Sequence, residues 1–105
     1  MTSATPISLD EAFNSLAEAM KTAAKEQDCF IVSEQAERFG LTEIPPERRE
    51  GKAWQRTENG LTLWFQWRFY DPSGPFQNEK DINVLSLRLI ENGKVVKQSD
   101  ERFED

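Results

Sequence analysis

Two Asn-Gly steps, Asn59-Gly60 and Asn92-Gly93, each stand between runs of alternating apolar and polar residues. Asn-Gly favours the tight turn whose central residues both take positive φ, and that turn joins adjacent antiparallel strands. Together the steps commit the second half of the chain to two hairpins, "KAWQRTENGLTLWFQWRFY" and "DINVLSLRLIENGKVVKQS". In the first, turn geometry sets Glu58 opposite Leu61, Arg56 opposite Leu63 and Trp54 opposite Phe65. In the second it sets Ile90 opposite Val95, Leu89 opposite Val96 and Arg88 opposite Lys97.

The first half has a different period. Ser8 with Glu11 forms a capping-box pattern. Leu9, Phe13, Leu16, Met20 and Ala23 or Ala24 then recur at helical spacing, with acids early and lysines late as the helix dipole prefers. A helix is predicted from Leu9 to about Gln27. The stretch from Cys29 to Val32 reads as a short strand or a tightly packed turn. Ser33 reads as a second N-cap, opening a short helix over 34–39 that stops at Gly40. Pro45 and Pro46 stand where a recognition helix would begin, which disfavours one, so "LTEIPPERREG" is read as a loop. "DPSGPFQNEKD" is read as another.

A long amphipathic helix must bury its stripe, and an antiparallel sheet with one apolar face is the natural partner. The expected fold is α+β: a long N-terminal helix on one face of a four-stranded antiparallel sheet made of the two Asn-Gly hairpins, plus one short helix. With 105 residues it is a single domain spanning 1–105, with residues 1–7 and 103–105 expected to fray. The helix-then-meander order resembles that of cystatin-like folds, a likeness of element order alone.

Alternation along "LTLWFQWRFY" assigns Leu61, Leu63, Phe65, Trp67 and Phe69 to the helix-facing side and Thr62, Trp64, Gln66, Arg68 and Tyr70 to the other. On the second hairpin Leu85, Leu87, Leu89 and Val96 are expected inward, with Ser86, Arg88, Ile90, Val95 and Lys97 outward. The outer face thus gathers Trp64, Tyr70, Arg68, Arg88 and Lys97, with Thr62 and Gln66 exposed among them. Trp, Tyr and Arg are the residues enriched at interface hot spots. The candidate contact residues are Trp64, Arg68, Tyr70 and Arg88, with Gln66 and Lys97 at the rim. The competing reading is structural, with the rings covering their neighbours, the arginine stems packed along them and a loop or the acidic tail folded over.

Composition narrows the chemistry. The chain has no histidine and one cysteine, so it lacks the parts for a His-dependent triad, a His-ligated zinc or an internal disulfide. Cys29, next to Phe30, Ile31 and Val32, reads as a buried thiol rather than an activated one. Asp71, Glu79 and Asp81 lack the ligand spacing of a calcium loop. Glu43, Glu47 and Glu50 with Arg48 and Arg49 read as a solvated charge run. The glycines are isolated at turns and form no phosphate cradle. No cofactor, metal or catalytic group is expected. The formal charge of −6 argues against duplex nucleic acid or an anionic membrane as the main partner. No stretch is apolar enough to span a bilayer, and no signal-peptide pattern opens the chain, so a cytoplasmic protein is expected.

These features together point to a non-enzymatic protein-binding module, an adaptor, inhibitor or accessory subunit. Its partner would be another protein, a second copy of the chain included. Two alternatives stand beside it. One is a cystatin-like pocket protein holding a small apolar ligand between helix and sheet. The other is a single-strand nucleic-acid reader stacking bases on Trp64 and Tyr70.

Overall fold

The computed structural model describes residues 8–45, 51–70 and 82–104, with Phe69, Tyr70 and Glu104 as backbone only. Two helices, α1 (Leu9–Glu26) and α2 (Phe30–Arg38), precede five strands: β1 (Thr42–Ile44), β2 (Gly51–Glu58), β3 (Leu61–Tyr70), β4 (Ile82–Glu91) and β5 (Lys94–Glu104). The strands form one antiparallel sheet in the order β1-β2-β3-β4-β5. Both helices lie on one face of it. The α+β class, the long first helix and the two hairpins agree with the sequence reading; the strand count does not.

The fifth strand is β1, which pairs Thr42 with Gln55 and Ile44 with Ala53. It occupies what reads as loop in the sequence. Three residues before a proline carry too little alternation to register as a strand, and pairing with β2 supplies what local pattern does not.

The helices start and stop for identifiable reasons. At α1 the Ser8 hydroxyl oxygen accepts from the Glu11 backbone N–H at 3.2 Å and donates to the Glu11 carboxylate at 3.3 Å. The helix ends at Gln27, which takes a left-handed conformation with φ 56°. At α2 the expected Ser33 cap is replaced. Asp28 Oδ1 accepts from the Phe30 N–H at 3.0 Å, so the helix opens at Phe30, and the Ser33 hydroxyl donates back to the Phe30 carbonyl at 3.2 Å. Neither a strand over 29–32 nor a helix confined to 34–39 forms. The α2 C-terminus closes as a Schellman motif: Leu41 N–H reaches the Ala36 carbonyl and Gly40 N–H the Glu37 carbonyl, each at 3.0 Å.

Both hairpin turns have the expected backbone. Asn59 and Asn92 sit at φ 50°, followed by Gly60 at 81° and Gly93 at 84°, the mirror-image turn in which both central residues have positive φ. The two turns lie side by side, joined by the Asn92 N–H to the Gly60 carbonyl at 3.2 Å. The first hairpin keeps its expected register throughout. The second keeps Ile90 opposite Val95 but places Leu89 opposite Lys97 and Arg88 opposite Gln98, with a shift between Leu89 and Ile90. Val96 is the extra residue of a β-bulge. Everything after it on β5 therefore faces the other way from an unbroken alternation.

The core lies between α1 and the sheet. Leu9, Ala12, Phe13, Leu16, Ala19, Met20 and Ala23 form the buried stripe of α1. Opposite them are Trp54, Leu63, Phe65, Leu85, Leu87, Leu89 and Phe103, with Val32, Ala36 and Leu41 closing one side. Phe65 is fully buried on central strand β3, and its ring stacks on Trp54 with centroids 5.3 Å apart. Trp54 Nε1 donates to Glu37, and Arg56 Nη1 to the Phe39 carbonyl, so the end of α2 is held over β2. Leu61 and Trp67 face the helices but are only partly buried, because they lie toward opposite ends of the strand. Trp67 is met edge-on by the exposed ring of Phe30 at 5.7 Å and donates through Nε1 to Asn83 at 2.9 Å. Phe103, expected to fray, is instead buried within β5.

Candidate functional site

The sheet face turned away from both helices follows from the pairings. It carries Ile44 from β1, Gly51 and Ala53 from β2, Trp64, Gln66 and Arg68 from β3, Val84, Ser86 and Arg88 from β4, and Gln98, Asp100 and Arg102 from β5. Trp64 and Arg88 are opposite each other, as are Gln66 and Ser86, and Arg68 and Val84. Trp64, Arg68 and Arg88 are partly exposed on this face, as alternation predicts. Tyr70 pairs with Ile82 at the end of the ladder, and its side chain lies outside the described residues.

Two candidate residues are placed differently. Gln66 is 4% exposed, not an exposed rim residue. It has Ala53 and Ser86 beside it across the sheet and Trp64 and Arg68 before and after it on its own strand. A medium side chain between two small neighbours and two large ones is readily covered, and Ala53 beside it is 1% exposed. Lys97 is not on this face at all. The bulge turns it to the helix side, where its ammonium pairs with Asp10 at 2.5 Å and lies 5.7 Å from the centre of the Phe13 ring. Val96, expected in the core, is 50% exposed for the same reason.

The charge pattern changes accordingly. The like-charge pair expected of Arg88 and Lys97 does not form. Arg88 bridges to Asp100 at 2.9 Å and donates to the Leu87 carbonyl at 2.8 Å. Asp100 belongs to the acidic end of the chain, so that segment does partly neutralise the face, as one strand of the sheet rather than as a loose flap. Arg68 is placed by a close backbone approach. A Cβ added to Gly51 would stand 2.7 Å from the Trp67 carbonyl oxygen and 3.5 Å from Arg68 Cγ, so a glycine lets the arginine stem lie across β2.

Gln66 Oε1 and Arg68 Nε are buried on this face without a hydrogen-bond partner among the described residues. Buried polar atoms are nearly always paired, so one acceptor and one donor unmet two residues apart mark this part of the sheet as unusual. Sequence reasoning missed both this burial and the roles of Gly51 and Asp100. Only Gly51 left a signal, as a glycine at the start of an alternating strand.

Elsewhere, α1 and α2 border an open cleft of about 600 Å³ lined by Asn14, Ser15, Glu18, Ala19, Thr22, Ile31 and Gln35. It lies between the helices rather than between helix and sheet, where Leu9, Leu16, Met20, Phe65 and Leu87 fill the space at 0–2% exposure. Cys29 is buried, its Sγ 3.8 Å from Asn83 Oδ1. Among the described residues no three His, Cys, Asp or Glu side chains gather as a metal-binding group, and no helix is long and apolar enough to cross a membrane. The acidic loop positions Asp71, Glu79 and Asp81, and Glu47 to Glu50, lie outside the described residues.

Comparison with protein families, curated proteins and solved structures found no match to this chain. The resemblance to cystatin-like folds therefore stays one of element order.

Proposed function

We propose that the chain is a non-enzymatic protein-binding module whose contact surface is the outer sheet face, centred on Trp64 with Arg68 and Arg88. The observation that carries this reading is a tryptophan left partly exposed opposite Arg88, with Arg68 farther along the same strand, on a five-stranded sheet whose helices both cover the opposite side. Folding needs the other face, where Leu63, Phe65, Leu85 and Leu87 are fully buried. It ties Arg88 to Asp100 and to main-chain carbonyls, but it does not call for the partly exposed ring of Trp64 beside it. Lys97 drops out of the surface and Gln66 moves from its rim to its floor.

The test is affinity capture from the native organism with the wild type and with Trp64→Ala and Arg68→Ala in parallel, followed by titration of the protein recovered. A partner held by the wild type should lose about 2 kcal/mol or more of binding in Trp64→Ala, the scale of an interface hot spot. Circular dichroism on each variant separates lost contact from lost fold. Unchanged binding by both folded variants would place the contact surface elsewhere.

A further inference from the structure

We propose that β5 is a self-association edge, two copies of the chain pairing their β5 strands antiparallel about Ser99 into one continuous sheet. This surface is the free edge of the sheet, which shares Gln98 and Asp100 with the outer face, and the proposal does not depend on the function proposed above.

The edge is long and has its backbone groups turned outward. β5 runs 11 residues and, among the described residues, is last in the sheet, with β4 on one side only. Arg88 Nη1 reaches the carbonyls of both Leu87 and Ser99, at 2.8 and 3.5 Å, which puts both oxygens in the gap between β4 and β5. Since backbone groups alternate along a strand, Gln98 and Asp100 direct their N–H and C=O outward along the free edge. Both residues are exposed.

Charge then selects the occupant and the register. The strand is basic in its first half, at Lys94 and Lys97, and acidic on balance in its second, where Asp100, Glu101 and Glu104 outnumber Arg102. Reversing such a strand against itself brings opposite charges together. A two-fold axis normal to the sheet keeps the helices of both copies on one side, and side chains then match faces only when the axis passes through a residue. Centred on Ser99, the pairing sets Lys97 against Glu101 twice and Gln98 against Asp100 twice. Centred on Lys97, Asp100 or Glu101, it sets like charges face to face on the axis. Centred on Gln98, it leaves Lys97 opposite Ser99 and Asp100 opposite Val96. Ser99 is the register that the charges favour.

Lys97 can serve this pairing without leaving its place. Its side chain is 39% exposed while bonded to Asp10, and an ammonium has three donors. The bulge at Val96 ends the regular ladder on one side, so the new pairing is short and the association reversible rather than permanent. A bulge and an inward lysine are also devices that guard an edge against pairing. Here, however, the charges at positions symmetric about Ser99, Lys97 with Glu101 and Lys94 with Glu104, are of opposite sign, so a reversed second copy meets attraction rather than repulsion.

The experiment is sedimentation equilibrium of the wild type, Glu101→Lys, Lys97→Glu/Glu101→Lys and Trp64→Ala, with Ser99→Cys examined for cross-linking under mild oxidation. The wild type should dimerise reversibly, Glu101→Lys should weaken the dimer at least about tenfold through like-charge opposition, and the double exchange should restore it. Trp64→Ala should dimerise as the wild type does. Cysteines at position 99 would meet on the axis with Cα atoms about 4.5 Å apart, within disulfide reach, so Ser99→Cys should form a covalent dimer. That variant leaves Lys97 and Asp10 intact and decides the matter even if the double exchange fails to fold. A wild type still monomeric at about 0.5 mM, a weakness beyond any useful affinity, would overturn the proposal. So would a Glu101→Lys dimer as strong as the wild type's, or a Ser99→Cys chain that does not cross-link.

Discussion

Deleting Val96 should leave the fold standing, although it removes a residue from the interior of a strand. Val95 opposite Ile90 and Lys97 opposite Leu89 are already the pairs of a regular ladder once the residue between them is gone. Val95 faces outward and Lys97 inward, so the deletion also preserves their alternation. What is lost is the contact of a valine that is 50% exposed, about half of a full Val burial, or roughly 1 kcal/mol. One fewer residue to order returns a similar amount, about 1 kcal/mol. The net change should lie within about 1 kcal/mol of zero, the sum of those two terms. Deleting Ser86 from β4 is the control. That stretch has no bulge to absorb the loss, so Leu85 or Leu87, both fully buried, must turn away from the core. Turning Leu85 costs about 1.5–3 kcal/mol in burial alone, and turning Leu87 takes buried Leu89 with it at about twice that. If Leu85 is the one to turn, the partnership of Asn83 with Trp67 goes with it. Urea denaturation of the two deletion variants and the wild type measures both quantities, with the m-value as a check that the same surface is exposed. If deletion of Val96 costs as much as deletion of Ser86, Val96 is an ordinary ladder residue and β5 has no bulge at that position.

Two further substitutions test the backbone. Gly51→Ala should destabilise by about 1–3 kcal/mol, because its Cβ would stand 2.7 Å from a main-chain carbonyl oxygen that cannot rotate away; urea melts with Gly51→Ala and Ala53→Gly together would separate overpacking from a general sensitivity of β2. Gln27→Gly should stabilise by up to about 1 kcal/mol, since a glutamine at φ 56° carries the left-handed penalty that glycine escapes; an unchanged or lower thermal midpoint would mean that the glutamine side chain is needed at that corner.

The legible parts of the fold were those where short-range chemistry and long-range packing agree. Asn-Gly imposes its turn from two residues of sequence, and the alternation beside it then assigns each face of β2 and β3. The Ser8 cap and the stripe from Leu9 to Ala23 did the same for α1. What was not legible lacked such agreement. Ser33 has the chemistry of an N-cap, yet α2 starts after Cys29, whose side chain makes no capping bond, with Asp28 just before it accepting from the Phe30 N–H, and nothing local chooses between the two starts. Packing does, by burying Val32 and Ala36 on one face of a helix that must begin by Phe30. β1 exists because β2 is there to pair with it. The burial of Gln66 depends on four neighbours from three strands, and the candidate site could be read only as a list of outward residues, not as a surface with a floor and a rim.

The largest departure traces to one residue, and its effects are coupled. A strand with an unbroken register would have carried Val96 inward and Lys97 outward, setting Lys97 against Arg88 in the most cationic part of the face. The extra residue reverses this. Lys97 turns to α1, where Asp10 in the first helical turn is ready to meet a cation. Arg88, freed of a like-charged neighbour, finds Asp100 on β5, two residues beyond its own partner Gln98. Phe103, whose parity was also changed, reaches the core. A register without the bulge would have to place Phe103 outward and Arg88 opposite Lys97, two costs that a single exposed valine avoids. The bulge is therefore part of how this sequence selects its register, and it leaves the outer face less cationic than a plain count of its arginines and lysines would suggest.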